Sequence, residues 1–424
     1  MLCKKPPAWF LKSFDALLSI YILCPLVVIY WRGTFMLIEI YQLPKKEDRL
    51  ISLGVSLIIG VVGNMLAIYI QDWMKQTAHN MVSPIGELFF KRLFAYLFGW
   101  VVVSFWRAVW DFIDDQTGME IRSGAVCFGI SAVSLILLRT FRNCPAPPLV
   151  AASDLSDDFF TIKTRFRTPK SKKLLFFLDA LFSVTVPGTM IVCIVRGMWY
   201  IMSYFLDLNV SNGWRAIDSA ACSMGIATGM VFIVFMLQRS AAWVSRRLDN
   251  HLLLKIIFED FFYLLGLIAG TNTWRGIWGF LDYYAFPKDD VMSAWTCHII
   301  GQGGLMLFMH ASSALVKSFE VDGEYVNGEG CWLPASSLTM FQGHMGQTHR
   351  KQFIVRNGEE IIMTTVTTLK DPIGAAGQTT EELSPENALR LRKMDELNHP
   401  NGGDVGLVPG WKSRLQSKPR QFSI

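Results

Sequence analysis

Charge is what this sequence is short of. Lys, Arg, Asp and Glu make up 18% of its 424 residues, against roughly a quarter in a soluble globular protein. The shortage falls on long runs that contain almost no charge, and this excludes a water-soluble fold with an ordinary polar surface. Catalytic signatures are lacking as well. No Gly-rich phosphate loop, nucleophile elbow or His-Glu metal motif occurs, so the chain reads as non-enzymatic and without a cofactor. Cys331, His344 and His349 have the spacing of half a zinc finger. No second cysteine lies near Cys331, so no metal site is expected. The net charge of +5 is modest, and the basic residues do not interleave with stacking aromatics, so nucleic acid is not an expected partner. Five of the eight cysteines fall inside apolar runs, which points to reduced thiols rather than a disulfide framework. The start, Met1-Leu2-Cys3-Lys4-Lys5-Pro6-Pro7, lacks the pattern of a cleavable signal, so the first apolar run is expected to be retained.

Those runs are the main content of the sequence. Eight of them, at about 14–31, 50–71, 90–106, 122–138, 174–195, 216–237, 252–274 and 291–316, approach or exceed the roughly 18 residues that suggest a membrane-spanning helix. The expected fold is an all-α polytopic membrane protein of eight transmembrane helices in contact with lipid. Lys and Arg concentrate in the N-terminus and in the connections after spans two, four and six. This places both termini in the cytoplasm. The sequon Asn209-Val210-Ser211 then falls outside, which makes Asn209 a candidate glycosylation acceptor.

One motif recurs four times: Trp31-Arg32-Gly33, Trp106-Arg107-Ala108, Val195-Arg196-Gly197 and Trp274-Arg275-Gly276. An aromatic follows each Arg at +3: Phe35, Trp110, Trp199 and Trp278. An acid follows at +7 in three copies, as Glu39, Asp114 and Asp282. The third copy has Ser203 there, with Asp207 one turn later. On a helix the Arg, aromatic and acid share a face, so the ring at +3 is expected against the guanidinium. The acid at +7 lies about 10 Å along the axis from its own Arg. Pairing between copies, the Arg of one copy with the acid of the next around a pseudo-symmetric ring, is therefore expected.

Arg32 to Arg196 is 164 residues and Arg107 to Arg275 is 168. The segments beginning Phe14-Asp15-Ala16 and Leu178-Asp179-Ala180 are alike. The eight spans thus read as two parallel four-helix repeats, or four two-helix units. The even spans carry the glycines, including Gly225 and Gly229, and are expected to form a closely packed inner layer. Span eight carries His298, Gln302 and His310, and polar groups in a span are functional candidates.

The divisions expected are a cytoplasmic N-terminus (1–13), a first half (14–142), a basic cytoplasmic linker (143–172), a second half (173–317) and a cytoplasmic tail (318–424). Cys144, beside Arg139 and Arg142, is a candidate for acylation. The tail is mostly disordered by composition, with a β-hairpin around Asn357-Gly358. It ends Phe422-Ser423-Ile424, a candidate ligand for a PDZ-type groove through Phe422 and Ile424.

Eight spans, inner termini and the repeated Trp-Arg-Gly-x-Trp…Asp element, fullest at Trp274-Arg275-Gly276-Ile277-Trp278…Asp282, resemble the fuseless family of invertebrate multi-span membrane proteins. The resemblance covers residues 10–316. It implies a presynaptic plasma-membrane protein that organises the active zone and positions voltage-gated calcium channels for neurotransmitter release, with cytoplasmic scaffold proteins as further partners. An alternative from the residues alone is a transporter or channel with an outer Arg/acid vestibule.

Overall fold

The computed structural model describes Phe14, residues 17–44, 46–156, 158–211 and 215–332, and two short strands further on. Two compact units are present, Met1–Thr348 and His349–Ile424. The first thus runs past Lys317, where the sequence suggests that the tail begins.

Within the first unit the described secondary structure is helical throughout. A π-turn (Ser19–Leu23) leads into α1 (Cys24–Tyr41). There follow α2 (Arg49–His79), α3 (Pro84–Thr117), α4 (Ile121–Leu137), α5 (Lys173–Thr185), α6 (Pro187–Ser211), α7 (Ala216–Arg247), α8 (Leu252–Tyr284) and α9 (Asp290–Leu307). Local chemistry sets several of the boundaries. Ser83 caps α3 by accepting from the Gly86 N–H, and Asp289 caps α9 by accepting from Met292 at 2.9 Å, each satisfying a donor that the first turn leaves orphaned. Pro187 lacks an N–H and begins α6, so α5 and α6 form one broken helix. Five stretches are long and apolar enough to cross a membrane: Ser19–Tyr41, Arg49–His79, Pro84–Thr117, Lys173–Asp207 and Ala216–Arg247. Helix α4 is apolar but shorter, while α8 carries Lys255, Glu259 and Asp260 in its first turns.

The long helices pair as α2 with α3, α4 with α6, α7 with α8, and α9 with α1. Helices α1, α3, α6 and α8 then contact one another in a closed cycle. They form an inner ring, and α2, α4, α7 and α9 stand outside it. This reverses the layering expected from the glycines. The helices of the even runs, α2, α4, α7 and α9, are outside, and they do pack closely through glycine: a Cβ on Gly60, Gly124 or Gly301 would strike Phe105, Tyr200 or Tyr30. The residue after the Arg gives the same close approach from the inner helices. A Cβ on Gly33 would strike the backbone of Ala294 and Cys297, one on Gly197 the backbone of Gly124 and Phe128, and one on Gly276 the Met224 side chain. By contrast Gly54, Gly129, Gly225 and Gly229 have nothing within 4 Å of that position among the described residues, so no close approach within the described structure uses the Gly225-x-x-x-Gly229 pair. The tight pairs α2–α3, α4–α6 and α7–α8 each join an outer helix to an inner one that follows it in sequence.

Away from the arginines, the two halves are cross-tied. Helices α4 and α9 end alike, with Thr140 donating to Leu135 O (2.9 Å) and His310 to Leu305 O (2.8 Å) around left-handed Arg139 (φ 53°) and Met309 (φ 58°). This is the Schellman type of helix end, which usually uses glycine. At each end an aspartate from the other half holds the turn. Asp154, in the linker, donates its N–H to Met309 O (2.8 Å), and its carboxylate accepts from Ala311 (3.1 Å) and Ser312 (2.8 Å). Asp322, after α9, donates to Arg139 O (2.9 Å) and accepts from Phe141 (2.8 Å) and Arg142 (2.9 Å).

In the second unit, β1 (Ile354–Arg356) and β2 (Glu359–Ile361) pair antiparallel, with Arg356 opposite Glu359. This is the register of a hairpin about Asn357-Gly358. Asp15, Phe422 and Ile424 lie outside the described residues, as does the side chain of Asn209.

Candidate functional site: the arginine ring

All four motif arginines are buried at the same end of the unit: Arg32 on α1, Arg107 on α3, Arg196 on α6 and Arg275 on α8. A guanidinium with five N–H donors must find acceptors when it leaves water. Each finds the first set on its outer partner helix, from two small side chains four residues apart. Arg32 Nη1 donates to Ser293 (2.9 Å) and Cys297 (3.5 Å), and Arg107 Nη1 to Ser52 (3.3 Å) and Ser56 (3.1 Å). Arg196 Nη1 donates to Ser123 (3.0 Å) and Cys127 (3.4 Å); Arg275 donates to Ser219 (2.8 Å) and Ser223 (2.5 Å). A spacing of four puts both acceptors on one helix face. This second repeat, Ser-x-x-x-Ser/Cys, lies near the start of each outer helix, α2, α4, α7 and α9. The Arg motif alone does not reveal it, although its signal is present in the sequence near the start of each even apolar run.

The second set comes from acids on neighbouring inner helices. Arg32 Nε lies 2.8 Å from Asp282, Arg196 Nη2 lies 2.6 Å from Asp114, and Arg275 Nη2 lies 2.7 Å from Asp207. Arg275 Nε also donates to Ser203 at 3.0 Å. The pairing does run between copies, but in the opposite direction to the one expected: each of these arginines takes the acid of the preceding copy, not of the next, and the first takes that of the fourth. The remaining link is different. Arg107 faces Asp111 on its own helix at 3.6 Å. Arg49 fills the interval, 3.7 Å from Glu39, 3.8 Å from Asp111 and 2.6 Å from Asp115. Arg49 is a fifth cation of the belt. Its hint in the sequence is a basic residue in a connection that the Lys/Arg distribution places outside.

The aromatics at +3 do not lie on the guanidinium groups. They turn to the ring axis, because +3 from the Arg is +4 from the residue before it. Trp31 meets Trp106 at 5.2 Å and Trp274 at 5.4 Å between ring centroids, edge to face. One turn nearer the arginine end, Trp110 meets Trp199 (5.8 Å), Trp199 meets Trp278 (6.2 Å) and Trp278 meets Phe35 (6.1 Å), again edge to face. Two aromatic layers therefore fill the axis, in the geometry that ring quadrupoles favour. The cation–π contact in this belt is Arg196 over Tyr200, at 4.7 Å.

The polar residues of span eight are not gathered into one site. His298 Nδ1 is 2.9 Å from Thr34 Oγ1, and its ring is enclosed by Tyr30, Tyr96, Trp100 and Trp295. Gln302 is buried on the same helix, and its Nε2 has no partner among the described residues. His310 lies past the end of α9, with Nδ1 2.6 Å from Phe308 O. Cys144 is buried, which pushes its thiol well above the usual range and withholds it from an acyl donor. A cavity of about 330 Å³ opens at the arginine end between Arg32, Glu39, Trp278 and Asp282.

Against known proteins, the Fuseless family model matches residues 10–315. No curated protein and no solved structure matches the chain.

Proposed function

The chain belongs to the Fuseless family, and from that premise we propose that this membrane protein organises the presynaptic active zone. In this reading it sits in the plasma membrane, has no catalytic activity, and positions voltage-gated calcium channels for neurotransmitter release. Its eight spans form two parallel four-span repeats, the arginine end faces outward, and both termini are cytoplasmic. Scaffold proteins bind the tail.

The observation that carries this reading over transport is the closure of the belt. Three motif arginines, Arg32, Arg196 and Arg275, pair with acids of neighbouring inner helices, Arg107 donates to Ser52 and Ser56 although its Nε has no hydrogen-bond partner among the described residues, and two aromatic layers lie on the axis. Such a belt fixes helix positions and engages its guanidinium groups mainly with the chain's own acceptors rather than with a permeant anion.

The test is affinity purification of the full chain from neuronal membranes, together with flux measurements in liposomes. Recovery of a calcium channel, with no anion or cation flux, supports the organiser. Flux abolished by Arg275→Gln in folded protein, with no channel recovered, overturns it.

A further inference from the structure

A chamber of about 480 Å³ lies on the ring axis, on the far side of the tryptophan layer from the arginines. Trp31, Trp106 and Trp274 bound it at one end, and the two cross-tying segments, residues 142–161 and 312–325, bound it at the other. Its size is within the range of small-molecule sites, and its wall is mainly apolar with a few polar groups, as such sites are.

We propose that this chamber binds a neutral membrane amphiphile, one with an apolar body and a free hydroxyl, the chemistry shared by sterols and diacylglycerols. Three observations carry the assignment. The first is Thr271 on the chamber wall, whose hydroxyl is buried and has no partner among the described residues. Its neighbour Thr273, and Thr34 on α1, both return their hydroxyls to their own helices, at 2.8 Å. A buried hydroxyl without a partner is costly, and a bound hydroxyl or carbonyl would relieve that cost.

The second is that the cations on the wall are already engaged within the chain. Arg142 donates to Tyr263 and lies over Tyr325, Lys163 pairs with Glu320 at 2.7 Å, and Lys317 donates to Phe159 O at 2.6 Å. An anionic headgroup would have to displace these contacts, and a cationic one would meet like charge, so the wall favours a neutral ligand. The third is a second cavity, of about 40 Å³, whose wall shares Trp106 and Ile191 with the chamber and reaches Asn64 on α2 and Val184 on α5. The packing beside the chamber is therefore loose on the side of these apolar helices, the side that faces lipid rather than water.

The test presents the full chain, reconstituted in phosphatidylcholine vesicles, with a photoreactive sterol in one arm and a photoreactive diacylglycerol in the other. Saturable labelling in one arm is expected, displaced by the unmodified parent lipid but not by phosphatidic acid, and mapped to the chamber wall. The labelled arm identifies the source. Ile191→Trp, which fills the chamber, should reduce labelling at least ten-fold. Thr271→Val keeps the shape and should weaken binding several-fold; if Ile191→Trp does not fold, this variant decides alone. Absence of saturable labelling in both arms, equal displacement by phosphatidic acid, or labelling unchanged in Thr271→Val overturns the proposal.

Discussion

Arg196 and Asp114 are 82 residues apart in sequence and 2.6 Å apart in space, with side chains 0% and 5% exposed. The corresponding pair Arg32–Asp282 has similar geometry at 2.8 Å, but Asp282 is 56% exposed. Burial should therefore separate their energetics. Asp114→Asn leaves a buried guanidinium without its counter-charge and is expected to cost about 3–5 kcal/mol. Asp282→Asn removes a solvent-screened partner and should cost about 1 kcal/mol or less. Thermal unfolding of the full chain in detergent reads both. Equal losses would mean that exposure does not control the belt.

The third copy supplies a repair experiment. Ser203 stands where the other copies have an acid, and Asp207, one turn further, reaches Arg275 instead. Asp207→Asn alone should lower stability. Adding Ser203→Asp should restore most of the loss, because it returns the carboxylate to the position used by Asp114 and Asp282. No recovery in the double variant would show that the backbone of α6 holds position 203 out of reach.

Glycine substitutions should sort by place rather than by motif. Gly197→Ala puts a methyl group into the backbone of α4 and should destabilise the α4–α6 pair. Gly225→Ala and Gly229→Ala meet nothing within the chain, and alanine is the better helix former by roughly 0.5–1 kcal/mol. These two should be neutral or stabilising in the monomer. Parallel melting curves distinguish the outcomes, and destabilisation by either of the last two would count against the described packing.

The reciprocal aspartates give a local prediction. Asp322→Ala strips the acceptors from the Phe141 and Arg142 N–H groups, and Asp154→Ala those from Ala311 and Ser312. Each orphaned donor costs about 1–3 kcal/mol. Limited proteolysis should show new cleavage near 139–145 in Asp322→Ala and near 308–314 in Asp154→Ala. Each variant thus opens the half opposite to its own sequence neighbours. Cleavage confined to the mutated segment itself would contradict the cross-tie.

Lys317 gives the pH dependence. Burial lowers its pKa from 10.5 to about 8, partly offset by Asp154 and Asp158. Between about pH 8 and 10.5 the unfolded chain keeps a proton that the folded chain has released, so this residue adds stability as pH rises through that window. The gain is bounded by about 3 kcal/mol. Lys317→Met should remove the increment, so the wild-type minus variant difference should climb across the window. A flat difference would refute it.

How much of this was legible depends on the kind of information each residue carries. The four arginines, their acids and the apolar runs were readable, because an Arg in an apolar run is costly and its recurrence marks equivalent positions. Equivalence does not say which neighbour a helix docks on. The tight pairs α2–α3 and α9–α1, and the turning of Trp199 to the axis, follow from packing rather than from spacing. The glycines misled for a related reason: Gly33 and Gly225 look alike in sequence, and only the presence or absence of a facing backbone separates them. Asp154 and Asp322 were unreadable, since each acts on a turn more than 150 residues away.

The pairing of α9 with α1 also sets an order of events. Arg32 belongs to the first long helix made, yet its acceptors Asp282, Ser293 and Cys297 are 250, 261 and 265 residues downstream. Throughout synthesis that arginine must be held by water, lipid headgroups or a chaperone. The counter-charge arrives with α8 and the Ser293 and Cys297 acceptors only with α9, so a chain truncated before the end of α8 carries an unmatched cation by which quality control can recognise it.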